Sequence, residues 1–261
     1  MSASWGDLRA RVVSGAAISA VGLWTLWVGG APFLALVALV CGLMVWELSR
    51  MVAPTRKSEA LQLGILGAGA IVLAGVLPGW PVLPILLAPA IVASGLLKAH
   101  QIRVVIYTVA ILGAGYGFLL VREGTGGSWT LWLVLVVIVT DVAGYFAGRS
   151  LGGPKFWPRI SPKKTWSGTV AGWLSATIVG LIFVALTDLP ALALVLSPAL
   201  SFGSQLGDIA ESALKRKMGV KDSSALIPGH GGVMDRFDGM MGASLSFWVM
   251  ALLGFVPAGG L

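Results

Sequence analysis

The sequence predicts an all-α, polytopic membrane protein of about nine transmembrane helices, and three observations support this. Of the 261 residues, 57% are hydrophobic and only 11% are charged, whereas soluble domains are about 25% charged; so few charges cannot cover a water-facing surface. Apolar runs long enough to cross a bilayer, which takes about 20 residues and as few as about 17, recur along the whole chain. Basic residues gather in alternate breaks between these runs.

Taken in order, the first run, Val12–Val28, follows Arg9 and Arg11 as a signal peptide would. More apolar sequence follows it rather than a soluble domain, so it reads as a retained first helix. Gly29-Gly30-Ala31-Pro32 separates it from Phe33–Val52, Pro54 leads to Leu61–Leu77, and Pro78-Gly79 leads to Pro81–Leu97. The Lys98–Arg103 patch precedes Val104–Val121, and Gly124–Gly127 precedes Trp129–Gly148. Gly168–Thr187 and Pro190–Leu206 flank Asp188, and Gly242–Val256 is the last run. Each break combines helix-breaking or charged residues, as membrane exits do. Gly113-x-x-x-Gly117, Gly144-x-x-x-Gly148 and Gly168-x-x-x-Gly172 suit close helix packing.

Two regions follow: 1–128 with about five transmembrane helices, and 129–261 with the larger loops 149–167 and 207–241. Nine spans starting inside place 17 of the 18 Lys and Arg residues in cytoplasmic segments, with only Arg122 outside. The N-terminus is therefore expected in the cytoplasm and the C-terminus outside. The formal charge of +7 is then a topology signal, and no nucleic-acid partner is expected. Cys41, the single cysteine, lies inside an apolar run, so no disulfide forms within the chain. One Cys and two His do not supply a standard zinc site.

The remaining polar chemistry lies in the two large loops. Asp208, Glu211, Ser212 and Lys215 are spaced i, i+3, i+4 and i+7, so a helix continuing from the eighth span puts them on one face. After Gly219, Lys221-Asp222 opens an irregular stretch leading to Pro228-Gly229-His230-Gly231-Gly232. Glycines at that density let backbone N–H groups cradle an anion. His230, flanked by glycines, is expected as a phosphate donor or acid/base group. Asp235-Arg236-Phe237-Asp238, if helical, sets two carboxylates one turn apart with Arg236 turned away. A solvated loop held by surface ion pairs is the ordinary alternative, but Asp208, Asp235 and Asp238 sit against membrane spans, where carboxylates are costly unless paired or metal-bound. Carboxylates beside Lys and Arg suit Mg²⁺-assisted phosphoryl or nucleotidyl transfer. A second cluster holds Asp141, Arg149, Lys163, Lys164 and Thr165; Asp141 lies about two turns inside the sixth span.

Ser212-x-x-Lys215-Arg216, Lys221-Asp222, Pro228-Gly229-His230-Gly231-Gly232 and Asp235-Arg236-Phe237-Asp238, in that order, resemble the signature of the phosphatidate cytidylyltransferases, or CDP-diacylglycerol synthases. Asp141, Gly148-Arg149 and Ser161-Pro162-Lys163-Lys164-Thr165 resemble that family's other cytoplasmic motif. The resemblance implies transfer of CMP from CTP to phosphatidate, with Mg²⁺ as cofactor and Asp208 and Asp235 as its ligands. It further implies phosphate binding by Lys215, Arg216, Lys221 and Arg236, while Asp222 and Asp238 orient these groups or bind a second cation. Ser212, Gly229, Gly231, Gly232, Asp141, Lys163, Lys164 and Thr165 are expected at the substrates. Ser167 stands where the family carries Glu, which puts any metal or base role there in question, and Gly239 stands where Ser is common. A bacterial inner-membrane location, a cytoplasm-facing site and a homodimer complete the expectations. Two rivals are a cytidylyltransferase for another lipid phosphate and a cation-coupled lipid transporter using Asp141 and Asp208. The crowding of charge on one side, away from the bilayer midplane, weighs against the transporter.

Overall fold

A computed structural model of the chain describes residues 5–77 and 81–256, with side chains from residue 12 onward. The expected break at Pro78-Gly79 lies outside the described residues, as do the side chains of Arg9 and Arg11.

Nine α-helices form among the described residues: α1 (Trp5–Val28), α2 (Gly30–Val52), α3 (Lys57–Val76), α4 (Val82–Leu97), α5 (Gln101–Leu120), α6 (Gly127–Ser150), α7 (Trp166–Leu186), α8 (Ala193–Lys217) and α9 (Met234–Leu252). A π-helical turn, Val121–Thr125, continues α5. Five helical stretches are long and apolar enough to cross a membrane: Gly30–Val52, Lys57–Val76, Gln101–Thr125, Gly127–Ser150 and Trp166–Leu186. Val12–Val28 and Val82–Leu97 are shorter apolar helices. The expected all-α polytopic membrane class therefore holds. The last two helices differ from the apolar runs in their bounds. α8 continues past Leu206 to Lys217, and α9 begins at Met234 rather than Gly242. Both extensions carry residues expected at the site, Asp208 on α8 and Asp235 on α9.

The chain forms two compact units. One unit comprises Met1–Leu119 and Met218–Phe237. Within it α2 and α3 cross at backbone contact, since a Cβ at Gly42 would lie 2.8 Å from the Gly64 carbonyl oxygen. α5 packs on the same helices through Gly115, where a Cβ would overlap Cys41 Sγ, and the Phe118 ring meets Phe33 in a tilted pair with centroids 5.3 Å apart. Leu48, Leu63, Ile71, Ile111 and Leu112 are fully buried in this core. So is Glu47.

The other unit comprises Leu120–Lys217 and Asp238–Leu261. α6 packs on α7 and α8. Gly144 and Gly168 bring α6 and α7 together, as the small-residue spacing predicts: a Cβ at Gly168 would meet the Gly144 carbonyl oxygen at 2.5 Å. Trp129, Trp132 and Phe247 pack edge to face, and Trp132 Nε1 donates to Ser197 Oγ at 3.0 Å. A short antiparallel hairpin joins α6 to α7, with β1 at Lys155–Trp157 and β2 at Ser161–Thr165. The sequence did not predict it, because strands this short, one followed by Pro158 and the other containing Pro162, offer no readable alternation. Thr165 ends β2 and caps α7, its hydroxyl accepting from the Gly168 N–H at 3.2 Å.

Candidate active site

The unit built from Leu120–Lys217 and Asp238–Leu261 holds a cavity of about 590 Å³, within the range of ligand pockets. Asp141, Arg149, Lys163, Lys164, Thr165 and Asp208 all line it, together with Gln205. The hairpin explains why: β2 presents Lys163 and Lys164 beside α6 and α8. Lys164 Nζ lies 2.6 Å from Asp208 Oδ2 and donates to the Gln205 carbonyl at 3.2 Å. Gln205 is held in turn, accepting from Trp173 Nε1 and donating to the Thr169 carbonyl.

Below Lys164, three carboxylates converge. Oxygens of Asp208, Glu211 and Asp238 lie within 4.8 Å of one another. Asp208 and Glu211 share a face of α8 by their i, i+3 spacing, while Asp238 arrives from α9. The approach depends on Gly207, since any Cβ there would overlap the Asp238 backbone carbonyl. Lys215 Nζ sits 2.5 Å from Glu211 Oε2, and Ser212 Oγ donates to Asp208 Oδ1 at 3.3 Å. Asp238 stands ahead of the apolar Gly242–Val256 run. Its carboxyl is pushed well above the usual carboxylate range, first by burial and then by the charges of Asp208 and Glu211, with a smaller push from Asp141; the Gly239 N–H works the other way. Three carboxylates against two ammonium groups crowd negative charge into little space, and the raised Asp238 relieves it by holding a proton, a role a bound cation would take over. Hard oxygen donors so arranged fit a divalent cation such as Mg²⁺.

In the unit containing Met218–Phe237, the glycine loop is built around carboxylates of the protein itself. Asp235 Oδ2 accepts from the Ser223 N–H, the Ser223 hydroxyl and the Gly232 N–H, each at 2.8 Å. Glu47 accepts from Ser223 Oγ (3.0 Å), Ser224 Oγ (2.6 Å), Val233 N (2.8 Å) and Met234 N (2.7 Å). The Gly232, Val233 and Met234 amides are thus taken up by carboxylates of the protein itself. Gly229 and Gly231 have φ of 74° and 82°, a region open to glycine without steric cost. Arg236 also turns inward on the loop, its Nε and Nη2 both donating to the His230 carbonyl. The His230 ring bonds Ser14 Oγ of α1 through Nδ1 at 2.9 Å. Lys221 and Asp222 open the loop and are exposed, and Arg216 is exposed near the end of α8.

Several participants were not among the site residues the sequence pointed to. Glu211 was seen only as a face-mate of Asp208. Gln205 gave a signal as an amide inside an apolar run, one turn before Asp208. Glu47 gave a clearer one, the only acidic residue within the apolar runs of the first five helices. The two departures from the family pattern have local explanations. Ser167 Oγ bonds the Gly152 carbonyl at 2.5 Å and tethers the connection to β1. At Gly239 a Cβ would lie 2.7 Å from Ser204 Oγ, so the buried Ser204 hydroxyl occupies the space a serine there would need.

A sequence model of the cytidylyltransferase family matches residues 9–253. The chain is 34% identical over 267 aligned residues to a phosphatidate cytidylyltransferase of Brucella suis biovar 1, covering 95% of this chain and 94% of that protein. A phosphatidate cytidylyltransferase of Staphylococcus saprophyticus is 42% identical over 137 residues, 51% of this chain and 53% of that protein.

Proposed function

The chain belongs to the cytidylyltransferase family, and from this premise we propose that it transfers CMP from CTP to phosphatidate, giving CDP-diacylglycerol and pyrophosphate. The observation that carries the reading is the lysine-edged carboxylate group of Asp208, Glu211 and Asp238 beside the cavity lined by Lys163 and Lys164. A phosphate oxygen of phosphatidate attacks the α-phosphorus of CTP, the new P–O bond forms, and the bond to the β-phosphate bridging oxygen breaks as pyrophosphate leaves. The attacking phosphate is ionised at neutral pH, so the protein's task is positioning and charge neutralisation rather than proton removal.

Asp208, Glu211 and Asp238 would hold Mg²⁺, and the family resemblance separately implies Asp235 as a cation ligand. When bound, the cation neutralises charge on the phosphates of CTP. Lys163, Lys164 and Arg149 hold phosphate oxygens at the cavity, and Thr165 fixes the hairpin that carries the lysines. Lys215 and Arg216 supply positive charge to the pyrophosphate, while phosphate binding by Lys221 and Arg236 rests on the family resemblance alone. The site faces the cytoplasm of a bacterial inner membrane in this reading, which the basic-residue distribution supports.

The test is pyrophosphate release and CDP-diacylglycerol formation by purified protein in detergent, with CTP and phosphatidate varied separately. Faster product formation from a polyprenyl or ether-lipid phosphate would replace phosphatidate as substrate, and no pyrophosphate with any of them would end the reading. Asp208→Asn is expected to lower kcat on the order of 10²–10³-fold, with the melting temperature retained. Normal turnover by that variant would sink the cation assignment.

A further inference from the structure

We infer that Glu47, a residue of α2, is the positioning residue for the loop that carries Asp235. Glu47 is 0% exposed, and its four bonding partners all come from the segment between Ser223 and Met234. Oε1 takes the Ser224 hydroxyl and the Val233 N–H, and Oε2 takes the Ser223 hydroxyl and the Met234 N–H. A carboxylate only accepts, and each of its oxygens here faces two donors. The two amides belong to the start of α9, whose first N–H groups lack partners within the helix. Glu47 thus caps α9 from another helix.

Two features tie this cap to Asp235 rather than to stability alone. Ser223 Oγ lies 3.0 Å from Glu47 Oε2 and 2.8 Å from Asp235 Oδ2. One hydroxyl proton therefore serves two carboxylates, and the placement of one bears on the other. Gly232, whose N–H also holds Asp235 Oδ2, has no room for a side chain because Ser223 Oγ and both Glu47 oxygens fill the place of a Cβ. An apolar residue at position 47 could pack the same helix without desolvating a charge. What Glu adds is direction: four fixed donors, and through them a fixed Asp235.

The inference rests on the cytidylyl-transfer reading for its effect on turnover, but not for its effect on the loop. Glu47→Gln keeps the shape and replaces one acceptor oxygen by a donor that must face two donors. It is expected to lower kcat about 10–100-fold with KM for CTP nearly unchanged, as a small misplacement of reacting groups does. Backbone amide exchange in residues 222–234 is expected to rise about tenfold, with the melting temperature nearly kept. Ser223→Ala should lower kcat similarly, and the double variant should fall no further than Glu47→Gln alone. Ser224→Ala, which removes a Glu47 bond without touching Asp235, should have the smaller effect.

Wild-type kcat in both Glu47→Gln and Ser223→Ala, or raised exchange without loss of kcat, would overturn the positioning role. If Glu47→Gln does not fold, Ser223→Ala decides: loss of kcat at retained melting temperature supports the role, and wild-type kcat overturns it. If the unsubstituted protein transfers no CMP, the functional reading falls by itself. Amide exchange then decides for Glu47, with a local rise supporting the anchor and an unchanged loop refuting it.

Discussion

At Gly232 the smallest side chain is already too large, because the space is taken by two oxygens of Glu47 and one of Ser223. Gly232→Ala should push the loop off its anchor at a cost of roughly 1–3 kcal/mol, the usual scale of overpacking, read as a lower melting temperature with reduced turnover. Gly239 makes a similar case against a different neighbour. Gly239→Ser restores the residue common in the family but meets Ser204 Oγ, so it should destabilise alone and recover when combined with Ser204→Ala. Neither constraint is written in the local sequence. Asp208, Lys164 and Asp141 could be read in advance because charged groups in or beside apolar runs are conspicuous. Glu47 and Ser204, which crowd Gly232 and Gly239, lie far from them in the chain, and no spacing rule reaches across such separations. The same holds for the shared Ser223 hydroxyl: Ser223-Ser224 reads locally as ordinary loop polarity.

Helix existence was legible throughout, since apolar length alone announces a membrane helix. Helix ends were less so, and they carry Asp208, Glu211, Asp235 and Asp238. α8 runs on through Gly207–Lys217 because Asp208, Glu211 and Lys215 continue its periodicity after the apolar residues stop. α9 begins early because Glu47 and Asp235 satisfy the amides at its start, a tertiary cause invisible to composition. α8 and α9 meet through Gly203, Gly207 and Gly242, where a Cβ at any of the three would overlap the facing helix. Gly207→Val is expected to part these helices at the level of Asp238, lowering the melting temperature and, on the cation reading proposed above, weakening Mg²⁺ dependence of turnover together. A shift in melting temperature with unchanged Mg²⁺ dependence would argue that the carboxylate group forms without the close crossing. The β1–β2 hairpin was missed for want of alternation, yet it delivers Lys163, Lys164 and Thr165 to the cavity.

For the molecule as a whole, orientation in the membrane is the claim most open to direct test. Cys41 is buried and is the single cysteine, so introduced cysteines report on a quiet background. Arg159→Cys at the exposed hairpin turn should resist a membrane-impermeant thiol reagent applied to intact spheroplasts and react after permeabilisation. Ser128→Cys, exposed at the start of α6, should react without permeabilisation. The reverse pattern would invert the topology and place the carboxylates on the side away from CTP. The all-α membrane class and the alternating charge pattern were readable because the bilayer imposes them on composition. The division into compact units was not, since the first unit recruits residues from beyond the middle of the chain.

That recruitment imposes an order in time. Glu47 enters the membrane with α2, but its first bonding partner, Ser223, lies 176 residues later. At synthesis rates of about 5–20 residues per second, the nascent chain carries an unanswered buried acid for roughly 10–35 s. During that interval α2 cannot hold its final depth without water or a temporary companion around residue 47. The first unit is therefore not finished when its five helices are in place, but only when the loop returns, which makes the assembly of the Ser223–Met234 loop and the completion of the N-terminal bundle a single late event.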